Sequence, residues 1–436
     1  MLAAILLGAL VVRMAWALTR PTSDAALNLL PDQHDYLSLA RSVLHGDGFA
    51  FHDPRFPGEL RAFRTPGYPV FLALFGGSAR AVRAVQAILD SSTVLAIYCL
   101  ARRLVRSRRS EQVTLLAAAF VALNPFLVYF SGLLLTETLF TAMLAWAMVL
   151  LVQPRGSAFS AKLLAAGLLL TTSILVRPSG IALPIALGVA AVFLWRRADA
   201  PRSHVTGESP VTQVAMNPSI DNPYQLRRLA LQGCLAAVAM LLLTLLTILP
   251  WAVRNHTVLG RWIPLDTNSG FTLYDGFNPT ATGASDQTFV KQMPQLQMMS
   301  ELKRSEYLGA LARGYALGHP GRVITLAFAK LARTWSPITL SSEFGQLRYQ
   351  LIAAAFAVPF DLLIIAGLFS SQMSRATKAF LLTPAVYFSI VHALTVGSLR
   401  YRIPAEPPLA ILAAAGLVQA SEKMRSRSMA NLGPLA

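Results

Sequence analysis

The residues that could do chemistry fall into a few short motifs. Asp32-Gln33-His34-Asp35-Tyr36 runs into Leu37-Ser38-Leu39-Ala40, a spacing that suits a short helix with an apolar underside. Asp32 stands at the start of that helix. A carboxylate there can cap the first turn or, at a water–lipid boundary, act as a general base toward a hydroxyl. Arg64-Thr65-Pro66-Gly67-Tyr68-Pro69 comes next. Its two prolines around Gly-Tyr fix a rigid turn, and the Arg64 guanidinium matches the geometry of a phosphate. Glu137, in Thr136-Glu137-Thr138-Leu139-Phe140, lies near the end of an apolar run. An ionisable group there is a functional candidate unless it simply reaches out to water.

Three more motifs carry arginine: Val176-Arg177-Pro178, Pro250-Trp251-Ala252-Val253-Arg254-Asn255 and Arg400-Tyr401-Arg402-Ile403-Pro404. Arg64, Arg177, Arg254, Arg400 and Arg402 could form a cationic pocket for a phosphate, with contacts to lipid headgroups as the plainer alternative. Tyr36, Tyr68, Asn255 and Tyr401 sit inside these motifs and join the candidates. His34, His45 and His52 share the first segment with several carboxylates and leave room for a divalent metal, although no spacing is diagnostic. Arg13 and Asp90 fall at similar depths in the first two apolar runs and read as a structural ion pair. Cys99 and Cys234 lie in apolar runs and offer neither a disulfide framework nor a zinc spacing.

The elements that must position these residues follow from composition. Of 436 residues, 54% are hydrophobic and 14% charged, and mean hydropathy is +0.51. A soluble globular chain carries about 25% charged residues. These figures exclude a disordered protein, a coiled coil and the usual nucleic-acid-binding domain, and point to an all-α polytopic membrane protein. A spanning helix needs roughly 20 apolar residues. That ruler marks 1–18, 82–101, 112–130, 132–152, 161–176, 180–195, 229–250, 351–370, 379–397 and 408–420, which is about ten spans within a range of roughly nine to twelve. Residues 1–18 could end as a signal peptide at Ala15-Trp16-Ala17. With no basic residue before the run and Arg13 inside it, a retained helix fits better.

The short loops separate by charge. Arg102, Arg103, Arg106, Arg108 and Arg109, then Arg155 and Lys162, then Arg196, Arg197, Arg202, Arg227 and Arg228, then Arg375 and Lys378, fall on one side of this topology. Basic short loops mark the cytoplasm, so both termini are expected there. So are a flexible Pro- and Ser-containing loop over 198–228 and a basic tail over 421–436. Much of the net charge of +17 is then an orientation signal rather than a nucleic-acid footprint. Two long segments, 19–80 and 251–350, lie on the outer side and should fold with short interfacial helices. One of these, 321–335, carries Phe328, Leu331 and Trp335 beside Lys330 and Arg333, as suits a helix lying in the interface, with an irregular eleventh span as the alternative. All the candidate motifs converge on this outer face.

In order and topology the motifs resemble the GT-C superfamily of integral-membrane glycosyltransferases, in particular bacterial relatives of the protein O-mannosyltransferases and the lipid A aminoarabinose transferases. The resemblance runs over roughly residues 10–420, from the acidic motif through Arg-Thr-Pro-Gly-Tyr-Pro, Thr-Glu-Thr-Leu-Phe, Val-Arg-Pro, Pro-Trp-Ala-Val-Arg-Asn and Gly-Phe-Asn-Pro-Thr-Ala-Thr-Gly to Arg-Tyr-Arg-Ile-Pro. It implies one membrane domain with two large periplasmic loops in a bacterial inner membrane. It also implies a polyprenyl-phosphate-linked sugar donor and an inverting displacement onto a lipid, glycan or protein acceptor. The family's essential acidic residue maps best onto Asp32, with Asp35 second, and the arginines would hold the leaving phosphate. Many members have adjacent acidic residues at this position, whereas here Gln33 and His34 follow Asp32. No cofactor is firmly implied, and a divalent metal at that site is left open. A transporter or flippase using Asp90 and Asp361, and a glycan polymerase or ligase, are the alternatives.

Overall fold

In a bilayer every backbone polar group must find its partner within the segment or its neighbours, so apolar runs become helices. The computed structural model describes residues 1–28, 30–152, 159–198, 223–340 and 346–431. Each of the ten expected runs coincides with helix. The first is α1 (Leu2–Thr19), and the outer segment after it folds as α2 (Asp24–Leu27), α3 (Pro31–His45), a short antiparallel strand pair (Phe51–His52 with Glu59–Leu60) and α4 (Gly67–Ala73). A bundle follows: α5 (Ala79–Leu104), α6 (Ser110–Leu123), α7 (Pro125–Ser131), α8 (Thr136–Leu151), α9 (Phe159–Val176), α10 (Leu183–Ala198) and α11 (Pro223–Leu259). The second outer segment holds α12 (Ser269–Gly276), α13 (Phe289–Gln292), α14 (Glu301–Gly318) and α15 (Pro320–Thr334). The chain then returns through α16 (Leu347–Leu368), α17 (Arg375–Ala393) and α18 (Glu406–Asn431).

Six helical stretches among the described residues are long and apolar enough to cross a membrane: Leu2–Thr19, Ala79–Leu104, Pro178–Trp195, Ala230–Leu259, Leu347–Leu368 and Leu399–Ser426. The expected run at 112–130 breaks at Asn124-Pro125, where Asn124 caps α7 and the axis bends by 50°; taken as one, α6 and α7 make a seventh. The count falls short of ten because α8 has only 16 residues, α9 is apolar only over a shorter stretch, and α17 carries Pro384 and polar groups. The loop expected over 198–228 lies outside the described residues except at its ends. Its last residues already belong to α11.

Helix α11 also overruns the expected boundary at 250. Pro250 sits inside it, and the helix continues to Leu259. Trp251 Nε1 donates to the Leu265 carbonyl at 2.6 Å and Asn255 Nδ2 to the Ile263 carbonyl at 2.9 Å, so tertiary contacts hold the turns after the proline. Arg254 and Asn255 are therefore on a helix end rather than in a loop. At the other end of the chain, α1 is tied into the bundle. Arg13 Nε donates to Asp90 Oδ2 at 2.5 Å, and its terminal nitrogens reach the carbonyls of Val121 and Ala122 at 2.9 Å. A buried charge needs such a partner set, and the pair expected from the sequence is present.

The two outer segments share one core. Phe271 of α12 packs edge-on against Phe56 and Phe63 at 5.5 and 5.4 Å between ring centres, geometries that aromatic pairs prefer. Glu301 at the start of α14 accepts from the amides of Arg61 and Ala62 at 2.6 and 2.9 Å and from the Thr267 hydroxyl, stitching the second segment to the first. Helix α15 exposes Ile324 and Phe328 while burying Leu326, Lys330 and Thr334.

Candidate active site

The first turn of α3 places Asp32 and Asp35 on one face, as i and i+3 positions must be. Asp32 is not the cap of that helix. The N-cap residue is Leu30, and no side chain caps it. The carboxylate instead faces arginine. Arg64 Nη2 donates to Asp32 Oδ1 at 2.6 Å and to Asp35 Oδ2 at 2.7 Å, with its Nε on the same Asp35 oxygen at 3.1 Å. Arg400 Nη1 donates to Asp32 Oδ2 at 2.9 Å, and its Nε to Glu137 Oε1 at 2.6 Å. Arg177 Nη1 lies 3.0 Å from the same glutamate oxygen. The result is an alternating chain: Asp35, Arg64, Asp32, Arg400, Glu137, Arg177. Glu137 does not reach water; it is fully buried within this chain.

Accessibility separates the two candidate bases. The Asp32 side chain is 28% exposed and that of Asp35 only 4%, so a ligand can reach Asp32. Burial would raise the Asp32 carboxyl, but the Arg64 and Arg400 guanidiniums outweigh it and hold the group well below the usual carboxylate range. Asp32 is therefore ionised throughout the physiological range. The aromatic candidates build the support. Arg64 lies over the Tyr36 ring at 5.3 Å, and Tyr36 meets Tyr68 edge-on at 5.0 Å. Tyr68 donates its hydroxyl to Gln86 Oε1 at 2.6 Å. Tyr401 stacks on His392 with ring centres 3.8 Å apart, beneath Arg177. Gly67 allows α4 to press onto the end of α9. A Cβ there would stand 2.6 Å from the backbone carbonyl carbon and oxygen of Leu175.

Two of the five expected phosphate-binding arginines are elsewhere. Arg402 Nε pairs with Glu406 Oε1 at 2.7 Å and its Nη1 donates to the Ser336 carbonyl at 3.1 Å; both members of the pair are buried. Glu406 also accepts from Asn124 Nδ2 at 2.6 Å. Arg254 donates to the backbone carbonyls of Arg61 and Phe49, and to Asn255 Oδ1 at 3.1 Å, over the ring of Trp251. Donors packed against protein take the nearest acceptors, and here those are backbone carbonyls, the Asn255 amide oxygen and the Glu406 carboxylate, so Arg254, Asn255 and Arg402 hold the scaffold. The histidines do not gather either. His34 Nδ1 lies 3.8 Å from Asp35 Oδ1, and among the described residues no three His, Cys, Asp or Glu side chains converge in a way that could hold a metal ion.

A cavity of about 1250 Å³ opens beside the chain, with Asp32, Arg64, Arg400 and Tyr401 in its lining. Part of that lining is apolar: Trp16, Phe126, Tyr129, Phe130, Leu340 and Ile352. Another part is polar and comes from α12 and the loop after it: Thr272, Asp275, Ser285, Gln287 and Thr288. Asp275 is held by Ser285 Oγ and the Asp286 amide at 2.6 and 2.7 Å. Sequence reasoning missed this polar wall and also Arg333 of α15, which lines the cavity. The only available signal was the clustering of small polar residues after the Gly-Phe-Asn-Pro motif.

Comparison with known proteins agrees with this architecture. Residues 68–207, about a third of the chain, match the family model for dolichyl-phosphate-mannose-protein mannosyltransferase. A search of curated proteins found no match. The archaeal oligosaccharyltransferase AglB from Archaeoglobus fulgidus, solved with an inhibitory peptide and a dolichol-phosphate, aligns with a TM-score of 0.50 at 12% identity, covering 100% of this chain and 52% of that one. The same organism's oligosaccharyltransferase with zinc and sulfate aligns with a TM-score of 0.51 at 13% identity, covering 97% and 50%. ArnT from Cupriavidus metallidurans bound to undecaprenyl phosphate aligns with a TM-score of 0.38 at 16% identity, covering 96% and 78%. The chain spans about half the length of the archaeal structures it matches. At 12 and 13% identity the likeness to the archaeal structures is one of fold. The resemblance to GT-C membrane glycosyltransferases that the motifs carry is borne out by the family match over 68–207 and by the fold shared with the archaeal structures, and the described residues form an almost wholly helical, multi-pass membrane fold.

Proposed function

We propose that this protein transfers a sugar from a polyprenyl-phosphate-linked donor to a hydroxyl of a lipid, glycan or protein acceptor, with inversion at the anomeric carbon. The observation that carries the reading is Asp32, the one reachable carboxylate of the acid–arginine chain, at the wall of a cavity that offers both an apolar and a polar lining. A polyprenyl tail suits the first kind of lining and a sugar or acceptor the second. The acceptor oxygen forms the new bond to the anomeric carbon, the bond from that carbon to the phosphate oxygen breaks, and the acceptor proton passes to Asp32. The arginine pairs make Asp32 a weak base. Glycosyl transfer runs through an oxocarbenium-like transition state, in which the hydroxyl becomes acidic as the new bond forms, so a weak carboxylate suffices. Arg64 and Arg400 orient it, and Asp35 and Glu137 fix the two arginines.

The clustering of basic residues in short loops away from this site supports a periplasmic active face in a bacterial inner membrane, with cytoplasmic termini. The test is Asp32→Asn in the full chain, purified in detergent and given a panel of polyprenyl-phosphate sugars, with release of polyprenyl phosphate as the readout. Turnover should fall at least about 100-fold, the lower end of what a general base contributes, while the protein stays folded. Near-normal turnover with Asp35 intact would remove Asp32 from the mechanism. Retention of the donor's anomeric configuration in the product would remove the inversion.

A further inference from the structure

The acid–arginine chain is electrically closed. Asp32, Asp35 and Glu137 face Arg64, Arg177 and Arg400, three carboxylates against three guanidiniums. A phosphate arriving at that wall gains a cation only by breaking an existing pair. Arg55, also on the lining, is engaged by Asp53 at 2.6 Å.

Arg333 is different. It stands in the last turn of α15 and lines the same cavity. Among the described residues no carboxylate pairs with it, and its Nε is shut off from solvent without a hydrogen-bond partner. A buried guanidinium nitrogen with no acceptor costs free energy, and a ligand oxygen would relieve it. One turn earlier, Lys330 is wholly buried and its Nζ also lacks a hydrogen-bond partner, which adds positive potential at the same stretch of helix. Lys291, another cation on the lining, is solvent-exposed and free to stay hydrated. The chain after Arg333 supplies apolar lining through Leu340, Ile352 and Ala353, where a hydrocarbon tail can lie.

From this placement we propose that Arg333 binds the phosphate of the lipid carrier, leaving Arg64 and Arg400 to hold Asp32. This rests on the lipid-linked-sugar reading above and deepens it. One recessed guanidinium presents one fork, which matches a carrier with a single phosphate.

The experiment uses the full chain in nanodiscs containing phosphatidylglycerol, with farnesyl phosphate, farnesol and inorganic phosphate as probes. The unmodified protein should bind farnesyl phosphate more tightly than farnesol, and inorganic phosphate should displace it only weakly. Arg333→Gln should weaken farnesyl phosphate roughly tenfold or more, as loss of a charge-assisted bond to phosphate implies, and leave farnesol binding in place. Arg333→Lys should keep part of the preference for the phosphate. If the unmodified protein binds farnesol as tightly as farnesyl phosphate, the lipid-phosphate reading fails and this inference with it. If it prefers the phosphate and Arg333→Gln keeps that preference, only the assignment of Arg333 fails. Should Arg333→Gln lose both probes through misfolding, Arg333→Lys decides: a reduced phosphate preference with farnesol still bound supports the assignment, and a preference as large as that of the unmodified protein overturns it. Displacement by inorganic phosphate as effective as by farnesyl phosphate would make this a free-phosphate site and also overturn it.

Discussion

Replacing Glu137 by Gln tests the electrostatic logic of the site most directly. The substitution keeps the shape and an acceptor oxygen but removes the charge. In the folded protein one carboxylate oxygen serves two guanidiniums, Arg400 at 2.6 Å and Arg177 at 3.0 Å, with Glu137 completely buried. Arg400 would still have Asp32 at 2.9 Å. Arg177, 6% exposed, has no other carboxylate partner among the described residues; its Nε only approaches the Ser179 hydroxyl at 3.3 Å. The variant thus leaves one buried charge uncompensated, a change that typically costs about 3–5 kcal/mol. Because glutamine still offers a carbonyl, the expected loss is at the lower end, about 3 kcal/mol. The double variant Glu137→Gln with Arg177→Met removes the orphaned charge and should recover about 2 kcal/mol or more of that loss, as a coupling energy between residues in contact. Unfolding of the detergent-solubilised protein, titrated with a denaturing detergent and followed by tryptophan fluorescence, reads both numbers. A single variant within about 0.5 kcal/mol of the unmodified protein, or a double variant no better than the single, would refute the reasoning.

Three other outcomes follow from the same geometry. Arg402→Met should destabilise the protein by about 3–5 kcal/mol, because it strands buried Glu406, yet leave the affinity of the folded protein for farnesyl phosphate unaltered in the binding assay. Gly67→Ala drives a methyl group to 2.6 Å from the Leu175 backbone and should cost about 1–3 kcal/mol by overpacking, read as a lowered thermal midpoint. Lys330 gives a pH signature. Burial pushes its ammonium down from 10.5 to about 8, with Asp275 opposing. Below about pH 8 both states hold the proton and the burial cost is constant. Between about 8 and 10.5 the unfolded chain retains a proton that the folded one has released, so stability should rise with pH. Lys330→Met should be more stable below pH 8 and lack that rise; an unchanged pH profile of unfolding would disprove it.

Much of this was legible because the relevant signals are local. Apolar runs of helical length identify the helices wherever neighbouring residues alone decide, as in α1, α5 and α16. The acidic motif and Arg64 were legible for the same reason: Asp32 and Asp35 are one turn apart, and Pro66-Gly67 fixes the turn that delivers Arg64. Boundaries failed where distant contacts decide. Pro250 reads as a helix end, but the turns beyond it are held by carbonyls at Ile263 and Leu265.

By itself the sequence determined that this is a multi-pass helical membrane protein. It also supplied the carboxylates and arginines for a charge-balanced site. Only the tertiary structure decided which arginine meets which acid. Arg400 reaches Asp32 across 368 residues of chain, Arg402 turns instead to Glu406 one helical turn away, and Arg254 settles on carbonyls of the first outer segment. A guanidinium pairs with whatever acceptor the packed backbone leaves nearest in a poorly hydrated space. That distance is set by helix packing rather than by any neighbour in sequence, and so is the unpartnered Nε of Arg333 on the cavity wall.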